Sequence, residues 1–466
     1  MLMPRFVFLF FLFFSFQLSA QHYNIEVQLD GAPDKTVQLA YHYLGKIYAA
    51  DSAKLDAKGH GVLTGDTVLT QGLYKILVDK DHHFDFLLGA DQDFKISNST
   101  FAGKDAKIEG AAESEAFVDY MNFLADLQQQ SASLNKAYQN ADAAEKEKIV
   151  QQREALNNQM YEYWAMVDEK YPDSFLYKFL TANYVPKLDE STLSNEIQEN
   201  DSLLLIARFN YQKEHFWDYF DYTDERYLYT PFYKTKLETW FNKVLYPGYD
   251  SVKPYVYQFI EDVRPNKRLF QFATSFFLNA SINSNIMGMD ALFVDIARDY
   301  YLSGEAFWAT EESLETIREN VLFMQDNLIG EIAPDLTLES FDGEFINLHQ
   351  IESKLTVVLI YEPNCSHCKV FVPEFYKEVY LPNKDNGLTV YAIYSMDDKE
   401  EWTEFLAKHN MFDWINVWDP QHTSRFKIKY DARKTPGVHL LDQNKKIIGK
   451  KMTVEQLKEI IPLELN

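Results

Sequence analysis

A continuous apolar run, Thr356-Val357-Val358-Leu359-Ile360-Tyr361, ends just before Cys365-Ser366-His367-Cys368, and these two cysteines are the only ones in the chain. The run has the character of a strand buried on both faces. The stretch from Cys365 to Tyr380 reads as a helix, so the cysteines are expected where strand gives way to helix. Backbone N–H groups and the helix dipole stabilise an anion at a helix N-terminus. Cys365, at the exposed end, is therefore expected to be thiolate-rich and nucleophilic. The spacing brings Cys368 back to the first sulfur within one helical turn. Cys365 can then attack a substrate disulfide, and Cys368 can resolve the mixed disulfide that forms.

Three other readings compete. A zinc half-site needs two more ligands, and neither a second Cys-x-x-Cys nor a His-x-x-x-His is present. A purely structural disulfide would close a loop of only about four residues, which constrains little of the unfolded chain. A peroxide-reducing cysteine calls for Pro-x-x-x-Thr-x-x-Cys, but Val358 and Glu362 stand where that Pro and Thr would be.

The compartment fits redox work. Arg5, the apolar stretch Phe6 to Leu18 and Leu18-Ser19-Ala20 read as a secretory signal over residues 1–20, too short in its apolar part to span a bilayer. No later stretch is apolar for the length of a membrane span, so no stable membrane insertion is expected after cleavage. The mature chain is placed outside the cytosol, where thiols can be oxidised. Lys+Arg number 45 against 70 Asp+Glu, a formal charge of −25 that argues against nucleic-acid and anionic-membrane partners.

The chain of 466 residues divides by pattern. Residues 21–110 show short alternating runs such as Tyr23-Asn24-Ile25-Glu26-Val27, broken by turns at Asp30-Gly31 and Lys58-Gly59, and predict an antiparallel all-β sandwich or barrel. His82-His83 reads as two strand-edge histidines, since no third metal ligand accompanies it. Residues 111–327 turn to helical spacing, with a stripe at Phe117, Tyr120, Met121, Phe123, Leu124 and Leu127, and predict an all-α domain. A long exposed helical pair is expected over Gln128 to Gln159. Aromatic stretches at Phe232–Val244 and Met289–Leu302 read as core, a ligand groove being the alternative. Helix breaks are expected at Pro172, Pro186, Pro231, Pro247, Pro254 and Pro265. Residues 328–466 alternate strands with helices: a strand at Leu388–Tyr394, a helix at Lys399–His409, a strand at Trp414–Trp418, a hairpin across Asp442-Gln443-Asn444 and a last helix at Val454–Ile460. This pattern is that of an α/β sheet with helices on both faces.

The carboxyl-terminal residues resemble a thioredoxin-fold domain of the TlpA/ResA-like group. The resemblance rests on Gly330-Glu331-Ile332-Ala333-Pro334-Asp335, the Cys365–Cys368 motif, Pro373 five residues after the second cysteine, and Thr435-Pro436 followed by Gly437-Val438-His439-Leu440-Leu441-Asp442. It implies a cis Pro436 beside Cys365, with Thr435 offering backbone hydrogen bonds to a bound peptide. Met287 to Val294 with Tyr300-Tyr301-Leu302 is similar, more weakly, to the helical domain of multi-domain Bacteroidetes thioredoxin-like proteins, and the β-rich part to the domain preceding it. A membrane thiol shuttle as electron donor is implied by this resemblance alone, and no cofactor beyond a redox-active Cys365–Cys368 disulfide is expected.

Departures from that group bear on mechanism. Leu359 stands where thioredoxins bury an acid, Phe371 where ResA-like reductases carry a glutamate, and Asn364 where an aromatic residue often precedes the first cysteine. Glu362 is the nearest carboxylate in sequence and is the candidate proton acceptor for Cys368, the alternative being a solvated acid favouring the helix N-terminus. His367 is expected to stabilise the Cys365 thiolate and raise the potential above that of a strongly reducing thioredoxin. The expected function is periplasmic disulfide exchange with protein thiols and disulfides. The alternative is a cell-envelope binding or scaffold protein with an inert disulfide in a docking domain.

Overall fold

The structure is a computed structural model and describes residues 22–465; the expected signal segment over residues 1–20 lies outside the described residues. The chain forms two compact units, Met1–Val244 and Leu245–Asn466. The helical stretch expected over 111–327 is therefore shared between them, because its later helices fold with the carboxyl-terminal sheet.

In the first unit, eight strands form two four-stranded sheets: β1 (Tyr23–Leu29), β2 (Thr36–Tyr43), β3 (Lys46–Lys54), β4 (His60–Gly65), β5 (Gly72–Leu77), β6 (His83–Leu88), β7 (Asp93–Asn98) and β8 (Lys107–Glu109). One sheet runs β4-β1-β7-β8 and the other β3-β2-β5-β6. The alternation read in β1 buries Ile25, Val27 and Leu29 in one core with Leu39 of β2 and Phe84 and Phe86 of β6. The sheets thus share an interior, as in a sandwich. The expected all-antiparallel pairing fails at one place: β1 and β7 are parallel. Five strands intervene between them, and only such a long crossover can join parallel neighbours. His82 Nδ1–H donates to Asp79 Oδ1 at 2.7 Å, and His83 Nδ1 lies 3.2 Å from Lys75 Nζ.

Two long helices follow, Ala112–Asn140 and Ala143–Lys170. Asp142 starts the second with a reciprocal cap: its Oδ1 accepts from Glu145 N–H at 2.9 Å, and its N–H donates to Glu145 Oε2 at 3.3 Å. The aromatics around Phe232–Val244 are core, with Phe220, Tyr227 and Tyr233 fully buried.

The second unit opens with helices Tyr249–Val263, Lys267–Ile282, Asp290–Ile296 and Glu311–Met324. Pro254 lies inside the first of these and does not break it. It sits in the second turn, where the loss of one backbone hydrogen bond is offset by burial of Val252, Val256, Phe259 and Ile260 on the same helix. Seven strands then form one sheet: β9 (Thr337–Ser340), β10 (Phe345–Asn347), β11 (Leu355–Tyr361), β12 (Leu388–Tyr394), β13 (Ile415–Trp418), β14 (Gly437–Leu441) and β15 (Ile447–Lys450). Their order is β10-β9-β13-β12-β11-β14-β15. β11, β12 and β13 are parallel, and β14 is antiparallel to β11.

Every residue of β11 is buried, and alternate side chains enter opposite cores. Val357, Leu359 and Tyr361 join helices Ser366–Phe375, Lys399–His409 and Val454–Leu465. Val358 and Ile360 join Phe426 and Tyr430 on the other face. The last helix runs through Pro462 to Leu465, past the expected end at Ile460.

Candidate active site

β11 ends at Tyr361, and the link Glu362-Pro363-Asn364 turns the chain so that Cys365 N–H donates to Glu362 carbonyl oxygen at 3.2 Å. Cys365 then takes the N-cap position of helix Ser366–Phe375 with extended backbone, φ −72° and ψ 122°. Its side chain is half-buried, and it donates from Sγ to the Thr435 carbonyl oxygen at 3.2 Å. The Thr435–Pro436 peptide bond is cis. Thr435 and Pro436 lead directly into β14, which pairs with β11, so this pairing carries the loop to the cysteine. Cys368, one turn on, is fully buried among Val372, Phe375, Leu359 and Tyr361. Both cysteines are free thiols.

The two sulfurs are electrostatically unlike. Burial pushes the Cys365 thiol up, but hydrogen bonds from the Thr435 hydroxyl, from Cys368 through its N–H and its thiol, and from the His367 N–H outweigh it and leave Cys365 below its ordinary thiol value. Burial pushes Cys368 up to about 12, and the neighbouring Cys365 sulfur adds to the rise. An accessible, easily ionised sulfur in front of a buried, protonated one is the asymmetry that ordered disulfide exchange requires.

The other sequence candidates fall around this pair. His367 is exposed and acts on Cys365 through its backbone N–H. Glu362 is half-buried; its carboxylate accepts from Ser395 Oγ at 3.3 Å, while its backbone is what touches Cys368. Asn364 donates to the Glu401 carboxylate. Leu359 is buried in the same core as Cys368, and Phe371 packs against that core, stacked on Phe375 at 5.7 Å, so both positions present apolar surface. Among the described residues, no three His, Cys, Asp or Glu side chains gather as a metal site.

Two neighbours were not read from the sequence. Tyr361 lies in the same core as Cys368, and its hydroxyl accepts from Trp402 Nε1 at 2.8 Å. Ser395 follows β12 directly. The parallel register pairs Tyr361 with Tyr394, so the first residue past each strand meets the other. That register was the available signal, since functional groups collect at the carboxyl ends of parallel strands.

Residues 329–451 match the AhpC/TSA family. No curated protein matches the chain. Among solved structures, the chain is similar to a domain of a possible thiol-disulfide isomerase from Cytophaga hutchinsonii, with 32% identity over 29% of this chain and 92% of that one and a TM-score of 0.28. It is similar to the thioredoxin domain of a thiol-disulfide oxidoreductase from Bacteroides vulgatus, with 23% identity over 30% of this chain and 98% of that one and a TM-score of 0.28. It is also similar to a thioredoxin-like protein from Bacteroides caccae, with 19% identity over 60% of this chain and 98% of that one and a TM-score of 0.43. The family match, the sheet order and the Cys365–Thr435 contact agree: the carboxyl-terminal part of this chain is a thioredoxin-fold domain of TlpA-like type.

Proposed function

We propose that the chain is a periplasmic thiol–disulfide oxidoreductase that exchanges disulfides with protein substrates through Cys365 and Cys368. The observation that carries this reading is the accessible Cys365 sulfur, 3.2 Å from the Thr435 carbonyl, with a fully buried Cys368 behind it. In the reducing direction, the Cys365 thiolate attacks one sulfur of a substrate disulfide. That S–S bond breaks, a Cys365–substrate disulfide forms, and the second substrate sulfur leaves as a thiolate that takes a proton. Cys368 then loses its proton and attacks the Cys365 sulfur. The substrate is released with both its sulfurs reduced, and two electrons have passed from the dithiol to it.

Each chain group has a part in this sequence. The His367 and Cys368 N–H groups hold the attacking thiolate, and the Thr435 backbone aligns an extended substrate segment. Glu362 is the proposed proton acceptor, acting from beside Cys368 with Ser395 fixing its carboxylate. No cofactor beyond the disulfide is required, and a membrane thiol shuttle would return the electrons. The β-rich and helical parts would select and position the protein substrate. No helix among the described residues is long and apolar enough to cross a membrane.

Trapping tests the reading. The full chain with Cys368→Ser should accumulate a Cys365–substrate mixed disulfide when mixed with an oxidised model protein, and Cys365→Ser should form none. Absence of the adduct in Cys368→Ser, with a Cys365–Cys368 disulfide in the native chain that resists reduction, would favour an inert scaffold instead.

A further inference from the structure

Next to the cis proline lies a cavity of about 560 Å³. Pro436, Gly437, Val438 and His439 line one side, and Ile282 and Met324 line another, from helices Lys267–Ile282 and Glu311–Met324. These helices lie outside the thioredoxin fold, so the cavity exists only because they pack in the same unit. His439 is 2% exposed, and neither ring nitrogen has a hydrogen-bond partner. Its ring meets the edge of Tyr430 at 5.1 Å, a contact that uses no polar atom. Burial, with the Lys450 and Lys451 cations, pushes its pKa to about 3, so the imidazole is neutral and carries one N–H donor and one lone pair. Buried polar groups are almost always paired, so two orphaned nitrogens on a cavity lining call for a visiting group.

The charge around the cavity says which group. Arg433, Lys434 and Lys451 line it against one carboxylate, Asp431. Asp431 is occupied by two of them: Arg433 Nε at 2.6 Å and Lys451 Nζ at 3.1 Å. Lys434 is exposed. A cationic surplus here stands against a chain whose formal charge is −25.

We propose that this cavity is a specificity subsite that receives an acidic side chain, Glu or Asp, from the substrate segment bearing the reacting cysteine. The proposal rests on the disulfide-exchange reading above. The carboxylate accepts from the His439 N–H and faces the cationic rim, while its methylene stem lies along Met324 and Ile282. Cys365 touches Thr435, and the cavity begins at the next residue, Pro436. The acidic residue is therefore sought within a few positions of the substrate cysteine, an extended peptide advancing about 3.3 Å per residue.

The test uses the reduced full chain and nine-residue peptides whose central, single cysteine is held in a mixed disulfide with thionitrobenzoate. Glu, Gln or Lys is placed in turn at each position from two to four residues on either side of that cysteine. Hydroxyethyl disulfide serves as a small probe that cannot reach the cavity. At one position or more, the Glu peptide should exceed its Lys counterpart in kcat/KM by about fivefold or more, as several partly exposed charge pairs acting together allow. Lys434→Glu should bring that Glu:Lys ratio to one or below. His439→Phe, which keeps an aromatic ring and removes both nitrogens, should lower it as well. Equal kcat/KM for Glu, Gln and Lys peptides at every position overturns the proposal, as does an unchanged ratio in Lys434→Glu, whose exposed site spares the fold. Failure of the native chain to reduce even hydroxyethyl disulfide overturns the exchange reading itself.

Discussion

The unequal ionisation of the two thiols predicts a large difference in their reactivity. Cys368 is held at about 12 by burial. At pH 7 such a thiol is ionised in about one molecule in 10⁵, against about 3% for an ordinary thiol near 8.5. A higher pKa makes the thiolate more nucleophilic, by about 25–55-fold over that interval at a Brønsted slope of 0.4–0.5. The product leaves Cys368 about 100-fold slower than an exposed thiol, before any loss of access is counted. The hydrogen bonds at Cys365 lower its pKa from the ordinary thiol value, so a larger share of it is thiolate at pH 7 than of an unperturbed thiol. The expected ratio of first alkylation events is thus about 10² or more in favour of Cys365. The assay is iodoacetamide labelling of the reduced chain, quenched with acid and read by peptide mass mapping from pH 5 to 10. The sign follows from the shifts. A lowered pKa keeps Cys365 ionised to lower pH, so its rate should level off before an ordinary thiol's would. A raised pKa keeps Cys368 protonated, so its rate should still be climbing at pH 10. Rates within tenfold of each other at pH 7, or a Cys365 profile centred at or above that of an ordinary thiol, would refute the reasoning.

Other consequences are open to test. Glu362→Gln should slow resolution by Cys368 and flatten the pH dependence of disulfide reduction; an unchanged profile would remove Glu362 from proton transfer. His367→Pro deletes the N–H that holds the Cys365 thiolate, a hydrogen bond to charge worth about 1.5–3 kcal/mol, and should lower the reduction potential by about 30–60 mV. His367→Ala keeps that N–H and should shift it less; equal shifts in thiol/disulfide buffers would assign the effect to the imidazole. Lys450 is 4% exposed, donates to Asn327 carbonyl oxygen at 2.8 Å and Oδ1 at 2.7 Å, and pairs with Asp290. Lys450→Met strands a carboxylate and should cost about 3–5 kcal/mol in urea unfolding, with Asp290→Asn in the same chain recovering much of it; a single-variant loss below about 1 kcal/mol would contradict the burial argument.

How far the fold could be read depended on segment length. The strand Leu388–Tyr394 and the helix Lys399–His409 lie where the pattern puts them, because seven to eleven residues carry a clear period. Among shorter strands, Ile415–Trp418 lies within the expected Trp414–Trp418, but Thr337–Ser340, with a single apolar residue, and the three-residue Phe345–Asn347 carry no comparable signal. Pro254 was read as a break because propensity is local, while the burial that keeps its helix intact is not. The parallel pairing of β1 with β7 had no local signal either, as it joins residues about seventy positions apart, such as Asn24 and Asp93.

The site divides along the same line. Cys365, His367, Cys368 and Glu362 are neighbours in sequence, so a single strand–turn–helix junction places them together, and the junction itself could be read from composition. The attacking sulfur, its spacing to the second and the helix end that favours its thiolate were therefore determined by the sequence alone. The tertiary structure decided everything that depends on burial and on distant segments meeting. It sealed Cys368 in a core with Tyr361, turned the Glu362 carboxylate to Ser395, and carried Thr435 seventy residues along the chain to the Cys365 sulfur. It also set His439 without a partner beside helices from another part of the chain. Local backbone geometry is a property of adjacent residues, whereas desolvation and the pairing of polar groups are properties of the packed interior, which exists only once the whole unit has folded.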